Sequence, residues 1–291
     1  MRRFFSVPEG QSVWQALGQS ALGQCALNYA RRIETRSAVI PRVLARNMDR
    51  IAAGWMVVFL AVAVVAVTFS VTPAQNGAEL ASMLLPYLLV AIAPVAGLQL
   101  ALRAFPNGLT PSGAMKVRPS LHLSLYGRWR RVSVADACNR PDFGPAGFMA
   151  SLLIGLLLNV VIRSIEFLTA VPALSTRAPE WGQSLFHLMA ADVAVMGFFY
   201  MVCFVMALRS VPYFPKMLLF AWGLDILTQL LIAAAVGSME GLPASVAGSL
   251  HNLLEGNISK VLIGAFVWLP YLILSDRVNI TYRQRVRMVP A

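Results

Sequence analysis

Charge is scarce in this sequence. Asp, Glu, Lys and Arg make up 13% of its 291 residues, where a soluble domain carries about 25%. Hydrophobic residues make up 58%. A chain so apolar cannot cover its surface with polar groups, and the bilayer is its expected solvent. Cysteine is nearly absent: Cys25, Cys138 and Cys203 share no zinc or redox spacing, so free thiols are expected. The three histidines, His122, His187 and His251, lie too far apart in sequence for a ready metal-ligand set. There is no Gly-rich phosphate loop, His-Glu-x-x-His, Gly-x-Ser-x-Gly or Cys-x-x-Cys, so the usual soluble-enzyme signatures are missing. On these grounds no metal, no cofactor and no enzymatic activity are expected. The residues after Met1-Arg2-Arg3 are mixed rather than continuously apolar, which argues against a cleavable signal peptide. The first span would then act as an uncleaved insertion signal.

What is present in excess is apolar runs. About 20 such residues cross the hydrocarbon core, and six segments qualify: 51–71, 80–102, 147–170, 184–208, 217–236 and 251–274. The second is interrupted by Pro86 and Pro94, each of which removes a backbone donor and is expected to kink the helix. The sixth is the weakest, because its clean run, Val261 to Leu274, must borrow polar turns from about His251. The expected fold is therefore all-α, a polytopic bundle of six spans. A basic segment, 1–50, precedes a two-span front, 51–102. A basic loop, 103–146, leads to a four-span back, 147–276, and a basic tail, 277–291, ends the chain. Within the first segment Trp14, Leu17, Ala21, Leu22 and Cys25 recur at helical steps. They form either a short amphipathic helix on the inner leaflet or an ordinary solvated stretch.

The net charge is +11, and its placement orients the chain. The first 50 residues hold 8 basic residues, 103–145 hold 7, 209–216 hold 2 and the tail holds 4. These 21 of the 24 basic residues all fall on one side of a six-span chain. The positive-inside rule makes that side cytoplasmic, with both termini there. A five-span chain would put large basic segments on both faces. The cluster Arg128, Arg130 and Arg131 beside Trp129 has the composition of a nucleic-acid patch, but its place at the membrane face favours anionic lipid headgroups. Expected partners are therefore the bilayer and its anionic headgroups, with a protein partner or a second copy of the chain also open, and no nucleic acid.

The informative residues are ionisable or polar groups inside the spans, since a charge at the bilayer centre costs about 2.5–3.5 kcal/mol. The third span carries Asn159, Arg163 and Glu166; the fourth, His187 and Asp192; the fifth, Asp225 and Gln229; the sixth, Glu255 and Lys260. The front two spans carry none in their cores. At 1.5 Å per residue all these groups fall between the midplane and the outer surface, which predicts one polar cluster or a cavity opening outward. Arg163 and Glu166 stand three apart and are expected to pair on one helix. Gly147, Ser151 and Gly155 recur every four residues and predict a close helix approach there. Arg163 and Lys260 against four acids leave two acids without a basic partner. Two readings of the cluster stand side by side: charge pairs that fix the packing, or a path for a solute or protons.

The sixth span ends in Trp268-Leu-Pro270-Tyr271, followed by Ser275-Asp-Arg277-Val278 and Thr281. In that order the segment resembles the C-terminal signature of an uncharacterised bacterial inner-membrane family, the domain of unknown function numbered 2569. Tyr282 stands where that family is expected to have Phe. The likeness spans roughly Gly147 to Arg287 and is specific only in its last segment. It implies a four-span unit in a bacterial inner membrane and, the family having no established activity, no catalytic residues. Physically the same segment suits a membrane-exit anchor, with Trp268 and Tyr271 at the interface and Arg277 beyond it. Three functions follow in order: a non-enzymatic accessory or scaffold protein, a small-solute or proton-coupled transporter using Asp192, Asp225, Glu255 and Lys260, and a lipid-modifying enzyme using outer-half acids.

Overall fold

The computed structural model describes Ser37 and residues 39–70, 72–106, 108 and 129–288. The amphipathic stretch around Trp14, His122 and Arg128 lie outside the described residues. Six long helices appear in chain order: α1, Val39–Thr68; α2, Gly77–Ala104; α4, Phe148–Ala170; α5, Glu180–Leu208; α6, Phe214–Gly237; and α7, Ala244–Leu274. The helix α3, Val134–Cys138, lies in the loop between α2 and α4, and α8, Asp276–Arg283, follows α7. All six long helices have the length and apolar composition to cross a membrane, so the chain is an integral multi-pass membrane protein.

Two boundaries differ from the sequence reading for the same reason. The first helix begins at Val39 rather than Ile51, and the last at Ala244 rather than His251. An apolar run measures the hydrocarbon thickness, whereas a helix continues through polar turns rich in good formers such as Ala, Leu, Arg and Met. The α2 helix also runs unbroken through Pro86 and Pro94. Near the second proline the Trp55 indole donates to the Ala91 carbonyl at 3.0 Å.

The packing does not follow the division into a two-span front and a four-span back. The most extensive helix pairing among the described elements is α2 with α5. Its residues Met83, Tyr87, Val90, Pro94, Leu98 and Ala101 are buried at helical spacing. The contact depends on two glycines. The Pro94 ring sits where a Cβ on Gly197 would come within 3.1 Å, and a Cβ on Gly97 would meet the Phe198 carbonyl oxygen at 2.5 Å. By contrast Gly155 has nothing within 4 Å of its would-be Cβ, and Ser151 is exposed. The close approach therefore lies between the second and fourth spans, not along the stripe in the third. A run of small residues permits contact without specifying what faces it.

The hub is α5, apolar on all sides as a fully buried helix must be. In its most apolar stretch 67% of the residues are buried, against 17% for α1 and α7, whose outer residues, such as Val57 and Phe266, are left to lipid. Around α5 the apolar interior forms two clusters. One holds Met149, Met196, Phe204, Phe214, Leu218 and Val261. The other holds Tyr87, Phe167, Phe186, Met189, Ile232 and Leu254.

The described parts of the three basic regions meet at one end of the bundle. A two-stranded antiparallel ribbon pairs β1, Trp129–Arg131, with β2, Arg285–Arg287. The Gly147 N–H donates to the Ser37 hydroxyl at 2.7 Å, and the Gly144 N–H donates to the Thr281 hydroxyl at 3.0 Å. The Arg209 guanidinium, between α5 and α6, donates to the Phe105 carbonyl at 2.7 Å at the end of α2. At the opposite end Arg177 pairs with Glu79 at 3.7 Å, and the Ser175 N–H donates to Thr72 at 2.8 Å. Loop and tail on one end require an even number of crossings between them, and α4 to α7 supply four.

Candidate functional site: a charged layer inside the bundle

Between the two apolar clusters lies a layer of polar side chains contributed by four helices. Arg163 enters from α4, Asp192 from α5, Asp225 and Gln229 from α6, and Asn257 from α7. On α4, α6 and α7 these residues separate the positions belonging to one apolar cluster from those belonging to the other, and on α5 Asp192 lies one turn before the change, between Ala194 and Met196. At 1.5 Å per residue Arg163 lies about 22 Å from the basic-end start of α4 and about 10 Å from its far end. The layer is thus displaced toward the less basic face, as the depth argument from sequence expected.

The centre is a carboxylate–guanidinium–carboxylate triad. Arg163 donates through Nη1 to Asp225 Oδ2 at 2.5 Å and through Nη2 to Asp192 Oδ2 at 2.9 Å. The Tyr200 hydroxyl donates to the same Asp225 oxygen at 2.6 Å. The Gln229 amide donates to both Asp192 oxygens, at 3.2 and 3.1 Å. From there the network runs outward. The Asn257 amide donates to Gln229 Oε1 at 3.4 Å, and Lys260 donates to Asn257 Oδ1 at 3.4 Å. Lys260 also pairs with Glu166. The inner members are buried, Asp225 and Gln229 completely, whereas Lys260 is exposed and Glu166 half-buried. Asp225 Oδ1 is buried without a hydrogen-bond donor.

This arrangement sorts the expected residues. Arg163, Asp192, Asp225, Gln229, Lys260 and Glu166 share one network. The expected pairing of Arg163 with Glu166 on α4 does not form. The triad holds Arg163 across the bundle, and Glu166 turns to Lys260 of α7 instead. A spacing of three places two groups on one helix face, but a buried guanidinium goes to the carboxylates that would otherwise be stranded with it. His187 and Glu255 lie outside the cluster. His187 is exposed and packs its ring beside Phe186, with Nδ1 2.7 Å from the Gln183 carbonyl. Glu255 is exposed, 4.0 Å from His251 one turn away. Asn159 is half-buried on α4, one turn below Arg163. The expected surplus of two unpaired acids also changes, because one guanidinium serves two carboxylates and Glu255 points outward.

Two members were not singled out from sequence. Tyr200 looks like one more aromatic in an apolar run, and nothing local marks its hydroxyl. Asn257 carried a usable signal, since it stands three residues before Lys260 and so shares its face.

The C-terminal segment forms a second constellation, at the basic end. Trp268 and Tyr271 pack against Phe148 of α4, with ring centroids 4.7 and 5.0 Å apart. Pro270 is exposed within α7. Ser275 caps α8, accepting from the Val278 N–H at 3.4 Å, and Val278 is fully buried. Thr281 and Arg277 both reach Gly144, through the contact above and from Nη1 to its carbonyl at 3.4 Å. Tyr282 is buried and donates to the Ala207 carbonyl at the end of α5 at 2.8 Å. Its hydroxyl, which the Phe expected at this position would lack, is thus in use. Burial and the lack of solvent push the Tyr282 hydroxyl well above the usual phenol range. Among the described residues no group of three or more His, Cys, Asp or Glu is placed to hold a metal. Searched against family models, curated proteins and solved structures, the chain matches none.

Proposed function

We propose that this protein is a non-enzymatic accessory or scaffold protein of the bacterial inner membrane, with its basic end in the cytoplasm. The observation that carries the reading is the cross-helix pairing of the charged layer. Its one buried cation is engaged by two carboxylates on two other helices, and Gln229 and Asn257 tie in the fourth. Such a layer fixes which helices are neighbours and at what register, a use for which buried polar groups are well suited. What remains for partners is outside. Arg42, Arg46 and Arg50 line one exposed face at the start of α1, and Arg130 and Arg131 are exposed on the ribbon. Both suit anionic headgroups at a cytoplasmic surface. Kinship of the last four spans with the domain of unknown function numbered 2569 rests on the order of residues from Trp268 to Thr281.

Orientation is tested with a periplasm-active reporter. Fused after Arg177 it is expected to be active, and at Ser133 silent; activity at Ser133 overturns the topology.

A specific observation favours a second reading, a proton-coupled or small-solute transporter. Hydrogen bonds run from buried Tyr200 and Asp225 through the layer to exposed Lys260. Proteoliposomes loaded with a pH-sensitive dye separate the two. Under an imposed membrane potential, the scaffold reading expects wild type and Asp225→Asn both to match empty liposomes. Proton uptake that requires Asp225 would replace the scaffold with the transporter.

A further inference from the structure

The corner where α8 turns into β2 gathers more positive charge than the described residues balance. Asn279, fully buried, donates through Nδ2 to the carbonyls of Ile273 and Ser275 at 3.0 and 2.8 Å. Its Oδ1 then accepts from Arg283 Nη1 at 3.0 Å and from Arg285 Nε at 2.8 Å. That exhausts the amide. Two guanidiniums are therefore held together by a neutral oxygen, and among the described residues no carboxylate forms an ion pair with either. Each guanidinium has five N–H donors, of which Asn279 takes one.

The backbone is shaped to bring them together. Gln284, between the two arginines, is left-handed with φ +50°, a conformation that non-glycine residues hold only where the surroundings impose it. Its carbonyl accepts from the Val132 N–H at 3.0 Å, which ties the reversal to the loop before α4. Trp129 of that loop supplies a wall. The guanidiniums of Arg285 and Arg287 lie 5.0 and 5.5 Å from its ring centre. Arg287 has Asp276 only at 4.0 Å. Burial, together with the neighbouring charge of Arg285, depresses the Arg283 guanidinium to about 10, and burial lowers Arg285 as well. Both shifts have the sign expected when cations lack a counter-ion.

We propose that Arg283 and Arg285, clamped on Asn279 with Arg285 also against Trp129, form a binding site for a phosphate group. Each half-buried guanidinium keeps N–H donors beyond the one given to Asn279, such forks match phosphate oxygens bidentately, and the Trp129 ring backs that of Arg285. Either an anionic phospholipid headgroup or a free phosphorylated compound carries that chemistry. The lipid source rests on the reading that this basic end faces anionic headgroups; the phosphate site itself does not.

The test uses the full chain, in detergent with inorganic phosphate and in nanodiscs of phosphatidylglycerol or phosphatidylcholine. Phosphate is expected to raise the melting temperature of wild type. The double variant Arg283→Gln/Arg285→Gln is expected to bind phosphate about tenfold more weakly or worse, the scale of one lost charge-assisted hydrogen bond. Arg103→Gln/Lys216→Gln removes equal charge from two exposed positions, at the end of α2 and the start of α6, and should leave phosphate binding within about twofold. Arg285→Lys, which keeps the charge and loses the fork, replaces the double variant should that one fail to fold, and is expected to weaken binding too. Equal losses in both double variants, or no loss in either, overturn the site. Preference for phosphatidylglycerol that depends on Arg283 and Arg285 identifies a headgroup as the source. Phosphate binding without that preference removes the headgroup reading of the basic end and leaves a site for a soluble phosphoester.

Discussion

Arg163→Met is expected to destabilise the bundle by about 3–5 kcal/mol, because it leaves Asp192 and Asp225 buried near each other with no cation between them. The direction follows from asymmetry rather than from bond counting. The attraction within a buried triad is largely offset by the cost of removing its members from water, so the intact triad adds little net stability. Its incomplete remnants bear the full desolvation cost. A second expectation follows, opposite in sign. Replacing the charged set together, Arg163→Met with Asp192→Leu, Asp225→Leu and Tyr200→Phe, should recover most of that loss, the remainder being the buried Gln229 amide left without its acceptor. Heat-induced loss of the monodisperse peak in detergent measures both. A single variant as stable as wild type, or a fourfold variant as unstable as the single, would show that the layer does not hold the helices as described.

Gly97→Ala is the second large effect. A methyl group at Gly97 would lie 2.5 Å from the Phe198 carbonyl oxygen, and neither partner is a side chain able to rotate away. The helices α2 and α5 must separate, at a cost of about 1–3 kcal/mol, the range for overpacking a well-filled interior. The control is Gly155→Ala, whose added carbon meets nothing within 4 Å. In an exposed helical site that exchange should gain about 0.5–1 kcal/mol through helix propensity. Melting temperatures of the two variants should therefore move in opposite directions. If both fall equally, the contact at Gly97 is no tighter than the open site.

Much of this was legible in the chain itself, and the limits are physical. Apolar runs locate six helices because hydrocarbon thickness is a length, and the basic bias sorts their ends because headgroups and translocation act on Lys and Arg. The same logic picks out Arg163, Asp192, Asp225 and Lys260, since an ionisable group in hydrocarbon is conspicuous wherever it stands. What it does not reveal is who meets whom. Helical spacing relates residues on one helix, so it pairs Arg163 with Glu166 and misses Asp225 on another. The stripe through Gly155 and the glycine at Gly97 look alike in sequence, and only the facing surface separates them. The ribbon of Trp129–Arg131 with Arg285–Arg287 joins strands of three residues across four spans, too short to leave a period. Asn279 is one polar residue in a short polar helix, and its work as a bracket for two arginines is visible only once Gln284 has turned the chain back.

The charged layer also imposes an order on synthesis. Arg163 leaves the ribosome before both of its partners, 29 residues ahead of Asp192 and 62 ahead of Asp225. Released into lipid on its own, α4 would carry an uncompensated cation, and α5 and α6 each an uncompensated acid. These three helices are therefore safest if they partition from the insertion channel as a group, with α4 retained until α6 has arrived. The triad that fixes neighbours in the finished bundle is, during biogenesis, a reason for the chain to wait.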